Sequence, residues 1–156
     1  MTTKFVSLVA AFWVLALSLS VVTPLFAAQP TTEQAKIVQA MRTMYVAATN
    51  DDLDKFHSVT TSGFYAFDNG TQFAGDALMK LIKKLHASGD IFVWKVTKPK
   101  VYVSGRMALI TDVNQGSIHD SSGTKPMTWL ESAVLVKENE NWRIQFFDST
   151  RVPPKK

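Results

Sequence analysis

The chain has 156 residues, with 17 lysine and arginine against 13 aspartate and glutamate side chains, which gives a formal net charge of +4. It contains no cysteine, which excludes disulfide bonds, thiolate metal sites and a thiol nucleophile. The charges are interspersed along the sequence, so the composition does not predict a nucleic-acid-binding protein.

The first 28 residues predict an export signal. Lys4 precedes an uncharged run of 22 residues over 5–26, and Pro24 interrupts that run just before the small residues Ala27 and Ala28. This order is typical of a secretory signal peptide and its cleavage site. We therefore expect one domain over residues 29–156, located in the periplasm or outside the cell. The alternative is an uncleaved membrane anchor, because about 20 apolar residues can span a bilayer.

A long helix is predicted at the start of the mature domain. Thr31 is suited to the N-cap, and Gln34 follows at the spacing of a capping box. An apolar stripe then continues along a helix of about 18 residues. Its members are Ile37, Met41, Met44, Tyr45 and Ala48.

Two shorter helices and a small hairpin should follow. Asn50 predicts the N-cap of a short second helix. The Asn69-Gly70 pair predicts a tight turn between two short strands over 64–67 and 71–73. A third helix is expected from about Asp76 to Gly89, where glycine can end it.

The remaining sequence predicts strands. Residues 91–97 and 100–104 flank Pro99, which lacks an N–H donor and should lie at an edge or a bulge. A long strand is expected over 107–118, followed by a polar loop over 120–126. Two final strands over 129–137 and 141–151 are joined by a polar turn, which predicts a hairpin. Trp142 opens the last strand and should be buried against the long helix around Met41 to Tyr45.

That last strand, Asn141-Trp142-Arg143-Ile144-Gln145-Phe146-Phe147-Asp148-Ser149-Thr150-Arg151, resembles the strand that closes SnoaL-like proteins of the nuclear transport factor 2-like superfamily. Its form there is Trp-x-Ile-x-x-Phe-His-Ser-(Thr)-Arg. The resemblance implies an α+β fold, in which a strongly curved antiparallel sheet wraps around a long N-terminal helix and two shorter helices. The result is an open-ended cone with a pocket. Because this fold hosts isomerases, dehydratases, association hubs and binding modules, it does not specify a function.

Three residues are candidates for acid–base chemistry. The resemblance includes the ketosteroid isomerase type of enzyme, which uses an aspartate base with a tyrosine and a protonated acid. The corresponding groups in this chain would be Tyr65, Asp68 and Glu131. The structural alternatives are core packing for Tyr65, a turn role for Asp68 and a solvated sheet face for Glu131. Inside its apolar strand, Glu131 would have a raised pKa.

Five further residues are candidates for the pocket. Trp94, Trp129 and Phe146 would form apolar walls, and Asp148 and Arg151 would supply polar groups. Asp148 stands where many relatives have histidine, so the side chain best suited to proton transfer near neutral pH is missing. The alternative is that the aromatic residues form core and that the two charged residues form a surface ion pair.

No spacing typical of a metal site, a phosphate loop or a dinucleotide site occurs, so neither a metal nor a cofactor is expected. Three functions remain open. The first is an exported module that binds a small hydrophobic molecule or associates with other proteins. The second is a cofactor-free isomerase, dehydratase or hydrolase. The third is an oligomeric hub, since the resemblance implies a homodimer through the exposed sheet face. Membrane contact is expected only through an uncleaved signal segment.

Overall fold

The computed structural model describes residues 31–153. The predicted export signal, residues 1–28, lies outside the described residues. Three helices and seven strands occur in the described part: α1 (Thr32–Thr49), α2 (Leu53–Val59), β1 (Thr60–Asp68), β2 (Thr71–Ala74), α3 (Ala77–Ala87), β3 (Ile91–Val93), β4 (Val96–Ser104), β5 (Met107–Asp120), β6 (Gly123–Glu138) and β7 (Asn141–Arg151). Within this range, no helix has both the length and the apolar character needed to cross a membrane.

Helix α1 begins with the predicted capping box. The Gln34 backbone N–H donates to Thr31 Oγ1 at 3.2 Å, and the Thr31 N–H donates to Gln34 Oε1 at 2.9 Å. Helix α2 differs from the prediction, because Asp52 and not Asn50 is its N-cap and accepts from the Lys55 N–H at 2.9 Å. Asn50 instead ends α1. The chain reverses at Asp51, where φ is +53°, and this leaves Asp52 to start the next helix.

The strands form one sheet in the order β2-β1-β7-β6-β5-β3, and β4 also pairs with β5. The predicted α+β class is confirmed. The sheet is mixed rather than wholly antiparallel, because β1 and β7 are parallel neighbours. These two strands are far apart in sequence, and β1 is separated from β7 by every other strand, so no local turn signal indicated their pairing.

The final three strands form a long meander. The polar loop expected over 120–126 is shorter in the structure, since β6 begins at Gly123. Every residue of β5 has a partner in β6. The predicted hairpin between β6 and β7 is confirmed. Asn139 and Glu140 both have positive φ, +45° and +65°, as the tight turns that match the strand twist require.

Strands β3 and β4 lie one after the other along the same side of β5. The register shifts between Thr97 and Lys100, which places Pro99 in the predicted bulge. Gly116 of β5 lets the two chains approach closely, because a Cβ there would lie 1.7 Å from the carbonyl oxygen of Val93. This contact fixes the segment that carries Phe92 and Trp94.

The core lies between α1 and the side of the sheet that faces the helices, which we call the inner face. Ile37, Met41, Ile110, Leu135 and Ile144 are fully buried there. Trp142 is buried as predicted, but it contacts the first turn of α1, where its Nε1–H donates to Glu33 Oε2 at 2.7 Å. Burial on the inner face continues toward Trp129, where the core gives way to a cavity.

Candidate functional site

A cavity of about 130 Å³ lies between α1, α3 and the inner face of the sheet. Its walls are mainly apolar. The helices contribute Met44 and Met79, among others, and the strands contribute Phe92, Trp129 and Phe147. The shape follows from the fold, because α3 covers an end of the sheet that α1 does not reach.

One wall of the cavity is a series of aromatic rings. Phe92 and Trp94 stack with their centroids 5.2 Å apart and an interplanar angle of 5°. Trp94 in turn contacts Tyr45 of α1 at a centroid distance of 5.5 Å. The segment between β3 and β4 positions Trp94, since the Lys95 N–H donates to Asn114 Oδ1 at 2.8 Å.

A row of polar side chains crosses the inner face of four neighbouring strands. Asp112 of β5 is opposite Glu131 of β6, Glu131 is opposite Ser149 of β7, and Ser149 is opposite Asp68 of β1. Opposite residues in a sheet share a face, so these four side chains point the same way. The row lies where the apolar core meets the cavity, and three of its members line the cavity: Asp68, Glu131 and Ser149.

Glu131 is the central acid of the row and is only 5% exposed. Asn114 Nδ2 donates to its Oε2 at 3.2 Å, and Ser149 Oγ donates to its Oε1 at 3.3 Å. Burial raises the pKa of the Glu131 carboxyl to about 8, although the neighbouring Tyr45, Asn114 and Ser149 side chains lower it. The charge of Asp112 raises this pKa further. Glu131 is therefore a neutral acid at pH 7.

Two other buried groups beside Glu131 lack hydrogen-bond partners. Both carboxylate oxygens of Asp112 are buried without a partner, and burial raises the pKa of Asp112 to about 6. The Tyr45 hydroxyl also has no partner at good hydrogen-bonding geometry, although it lies close enough to Glu131 for each to change the pKa of the other. Burial raises the pKa of Tyr45 well above its usual range, so it remains a hydroxyl.

The mouth of the cavity carries charged groups. Asp68 and Arg151 both line it, beside Asn69. Burial raises the pKa of Asp68, and the positive charge of Arg151 opposes that rise. The Asn69 side chain accepts from the Arg151 backbone N–H at 3.2 Å, which ties the turn after β1 to the end of β7.

Five of the eight residues predicted for a site line this cavity: Asp68, Trp94, Trp129, Glu131 and Arg151. Tyr65, Phe146 and Asp148 do not. They lie on the opposite face of the sheet, which we call the outer face, because Tyr65 is opposite Phe146 there and Asp148 is opposite Ser132. Regular alternation from Trp142 and Ile144 would place Phe146 and Asp148 on the inner face. The register between β7 and β6 shifts after Ile144, so Phe147 and Ser149 take the inner positions instead.

Sequence reasoning missed four residues of the site: Tyr45, Asp112, Asn114 and Ser149. A signal for two of them was present, because Asp112 and Asn114 keep the two-residue period of the buried Ala108 and Ile110 in β5. Polar residues at core-facing positions of a strand are unusual and indicate a site. Tyr45 gave no such signal, because it continues the apolar stripe of α1.

The arrangement offers two kinds of proton chemistry. The neutral Glu131 carboxyl and the Tyr45 hydroxyl can donate hydrogen bonds to a ligand oxygen. Asp68 lies two strands away, roughly 10 Å from Glu131 by strand spacing, and can accept a proton when ionised. Among residues 31–153, no group of three or more histidine or acidic side chains is placed to hold a metal ion.

The comparison with solved structures shows that this fold is widespread. A ketosteroid isomerase-like protein from Erwinia carotovora atroseptica is 16% identical, with a TM-score of 0.65, over 80% of this chain and 99% of that chain. The CaMKII hub of S. rosetta is 18% identical, with a TM-score of 0.65, over 81% and 99% of the two chains. An NTF2-like protein from Cytophaga hutchinsonii is 9% identical, with a TM-score of 0.66, over 78% and 100%.

No curated protein matches the chain. Its sequence does match the SnoaL-like domain family over residues 37–147, which include α1 from Ile37 onward, the sheet as far as Phe147 and most of the cavity wall. This match covers more than half of the chain and agrees with the fold. The protein belongs to the SnoaL-like domain family.

Proposed function

We propose that this protein binds a small, mostly apolar molecule that carries one oxygen acceptor, in the cavity between α1, α3 and the sheet. The observation that carries the proposal is the Tyr45 hydroxyl, which is buried at an apolar cavity and has no partner at good hydrogen-bonding geometry. A buried polar group without a partner costs about 1–3 kcal/mol. A ligand oxygen placed beside Tyr45 would remove that cost.

The size and lining of the cavity agree with such a ligand. An engineered apolar cavity of about 150 Å³ in another protein binds benzene, so a cavity of about 130 Å³ fits a single-ring molecule. The stacked rings of Phe92 and Trp94 offer a flat apolar wall. Because Glu131 is neutral at pH 7, the site favours an uncharged ligand. The export signal predicted from residues 1–28 supports a role for this binding in the periplasm or outside the cell.

Cyclohexanone and methylcyclohexane form a matched pair of probes for this proposal. They have nearly the same shape, and only cyclohexanone accepts a hydrogen bond. We expect both to bind the wild-type protein, as measured by NMR chemical-shift titration. In Tyr45→Phe the affinity for cyclohexanone relative to methylcyclohexane should fall roughly fivefold, which corresponds to one hydrogen bond of about 1 kcal/mol.

The matched control is Tyr102→Phe, because Tyr102 is 63% exposed and lies on the outer face. This change should leave both affinities as they are. Failure of both probes to saturate the protein, or an unchanged affinity ratio in Tyr45→Phe, would contradict the proposal.

The outer face of the sheet favours a second function, association with another copy of the chain. Tyr65, Phe67 and Phe146 form an aromatic cluster there, with Phe146 centroid distances of 4.9 Å to Tyr65 and 5.4 Å to Phe67. Phe67 is 42% exposed and Leu130 is 55% exposed. An apolar surface of this kind commonly marks an interface between proteins.

The charges around this surface favour a second copy as the partner. Lys98 and Lys100 border a groove on the outer face, and Asp148 borders the same groove from β7. A two-fold axis places a surface against itself, so the basic side of one copy can meet the acidic side of the other. The arrangement is thus self-complementary.

Sedimentation equilibrium tests the association. We expect a dimer for the wild type and a monomer for Phe67→Asp, because a charge would then be buried at the centre of the interface. Val46→Glu is the control, since Val46 is similarly exposed but lies on α1. A monomeric wild type, or a Phe67→Asp variant that still forms dimers, would rule out this surface.

A further inference from the structure

Two carboxyl groups lie side by side in the interior without a cation. Asp112 and Glu131 are opposite each other on β5 and β6, and each is only 5% exposed. Neither forms an ion pair with any lysine, arginine or histidine among residues 31–153. A buried charge without a partner is strongly unfavourable, so two ionised carboxylates cannot persist here.

The hydrogen bonds around the pair leave a place for one proton. Glu131 already accepts from Asn114 and Ser149, whereas both oxygens of Asp112 have no donor. An ionised carboxylate only accepts hydrogen bonds, but a protonated carboxyl also donates one. Glu131 is directly opposite Asp112 on the neighbouring strand, where the Cβ atoms of a pair lie roughly 4.5–5.5 Å apart, so the two carboxyl groups can reach each other. A proton on Glu131 that is donated to Asp112 gives Asp112 a donor and leaves the pair with a single negative charge.

The other groups that face the pair come from three elements. Tyr45 approaches from α1, Asn114 from β5 and Ser149 from β7. The charged groups of the same cavity, Asp68 and Arg151, lie at its mouth. Tyr45 is thus the only titratable neighbour of the pair among these inner groups, and it stays protonated.

We propose that Asp112 and Glu131 share a single proton, and that Asp112 is a positioning residue that keeps the Tyr45 hydroxyl available to the ligand. An ionised Glu131 would be a strong acceptor and would take the hydrogen bond of Tyr45 for itself. A neutral Glu131, which donates its proton to Asp112, is a weaker acceptor. The part of this inference that concerns Tyr45 rests on the proposed ligand binding, whereas the shared proton does not.

The shared proton can be tested without a ligand. The side-chain carboxyl carbons of Asp112 and Glu131 should be followed by ¹³C NMR while the pH of the wild-type protein is varied. We expect each resonance to change in two steps at the same two pH values, because groups that interact by more than about 1 pH unit titrate as a pair. Two independent single-step curves would overturn the inference.

Asp112→Asn tests the role of Asp112. The variant keeps the shape of the side chain but removes its charge and gives Glu131 an amide donor. Glu131 should then titrate at a lower pH, by about 1 unit or more. The pH at which cyclohexanone affinity declines should fall by the same amount. Asp54→Asn is the control, since Asp54 is exposed on α2 and should leave both pH values unchanged.

These measurements separate the inference from the proposed function. If the pair titrates in two shared steps but cyclohexanone does not bind, the shared proton stands and the ligand proposal fails. If cyclohexanone binds and Glu131 titrates at the same pH in Asp112→Asn and the wild type, the role of Asp112 is refuted and the ligand proposal stands. Should Asp112→Asn fail to fold, the two-step titration of the wild type still decides whether the proton is shared.

Discussion

At the scale of single residues, the interior of this domain is defined by polar groups that its neighbours only partly satisfy. Glu131 has two hydrogen-bond donors, Asn114 and Ser149, whereas Asp112 has none. Burying such groups is energetically unfavourable, and a cluster of them at a cavity usually indicates a functional site. The same groups make the stability of the protein depend on pH.

The pH dependence follows from the direction of the pKa changes. The pKa of Glu131 is raised from 4.5 to about 8 in the folded protein, so the folded state binds more protons than the unfolded state between these values. Stability should therefore be greatest below pH 4.5 as far as this group is concerned, and should fall as the pH rises to 8. Asp112 acts in the same direction between 3.8 and about 6.

Glu131→Gln should remove most of this loss. The glutamine keeps a similar shape and cannot ionise, so the variant should lose less stability than the wild type between pH 5 and pH 9. We expect the two losses in the free energy of unfolding to differ by an amount on the order of a few kcal/mol. Urea unfolding at the two pH values measures the difference. Glu140→Gln is the control, because the Glu140 side chain is 87% exposed. A wild-type stability that stays constant or increases over this range would contradict the expected burial of Glu131.

At the scale of secondary-structure elements, the wall of the cavity depends on how closely β3 approaches β5. Gly116 makes this approach possible, and Trp94, which directly follows β3, contacts Tyr45. The last hairpin has a different role, since Trp142 of β7 closes the far end of the core against α1.

Gly116→Ala should disturb the cavity wall. The new Cβ would lie 1.7 Å from the Val93 carbonyl oxygen, so β3 or β5 has to move. We expect a loss of about 1–3 kcal/mol in the free energy of unfolding. Cyclohexanone and methylcyclohexane should both bind more weakly. Gln115→Ala is the control, because Gln115 is exposed. A variant with unchanged stability would show that β3 is not held at this point.

Trp142→Ala should destabilise the opposite end of the core. The indole is 5% exposed and donates to Glu33, so its removal leaves a large void and breaks the link between β7 and α1. The expected loss is about 3–5 kcal/mol, as for other large aromatic residues. Thermal or urea unfolding measures it. Trp142→Phe should lose less, and equal losses in the two variants would point to the hydrogen bond rather than to packing.

At the scale of the whole molecule, the two faces of the sheet have different roles. The inner face holds the core and the cavity, and the outer face presents Tyr65 and Phe67 to solvent beside the half-buried Phe146. The proposed ligand binding and the proposed association therefore use separate residues. Variants of one face should leave the other function intact.

Export is a further expectation at this scale. In a Gram-negative host, we expect the protein in the periplasm, with its N-terminus near Ala28 or Gln29 by N-terminal sequencing, because Lys4 and the apolar run predict a secretory signal. Lys4→Glu should slow export, since it removes the positive charge that precedes the apolar run. Recovery of the intact chain only in the membrane fraction would support an anchor instead.

Local patterns in the sequence predicted most of the fold. The capping box at Thr31, the apolar stripe of α1, the bulge at Pro99 and the final hairpin all depend on residues close together in the chain, and the structure confirms each of them. Local signals fail where competing turns are possible. The sequence predicts Asn50 as the N-cap of α2, two residues before the observed Asp52. Strand β6 begins at Gly123, before the apolar residues that predict it.

The tertiary structure alone decided the parallel pairing of β1 with β7 and the composition of the site. The sequence predicts that Glu131, Asp68, Trp94, Trp129 and Arg151 belong to a site. It does not show that Tyr45 and Asp112 lie beside Glu131. Those contacts depend on the register between strands and on how α1 crosses the sheet. A shift of one residue in register moves a side chain to the opposite face, which is why Phe146 and Asp148 lie on the outer face and Phe147 and Ser149 line the cavity.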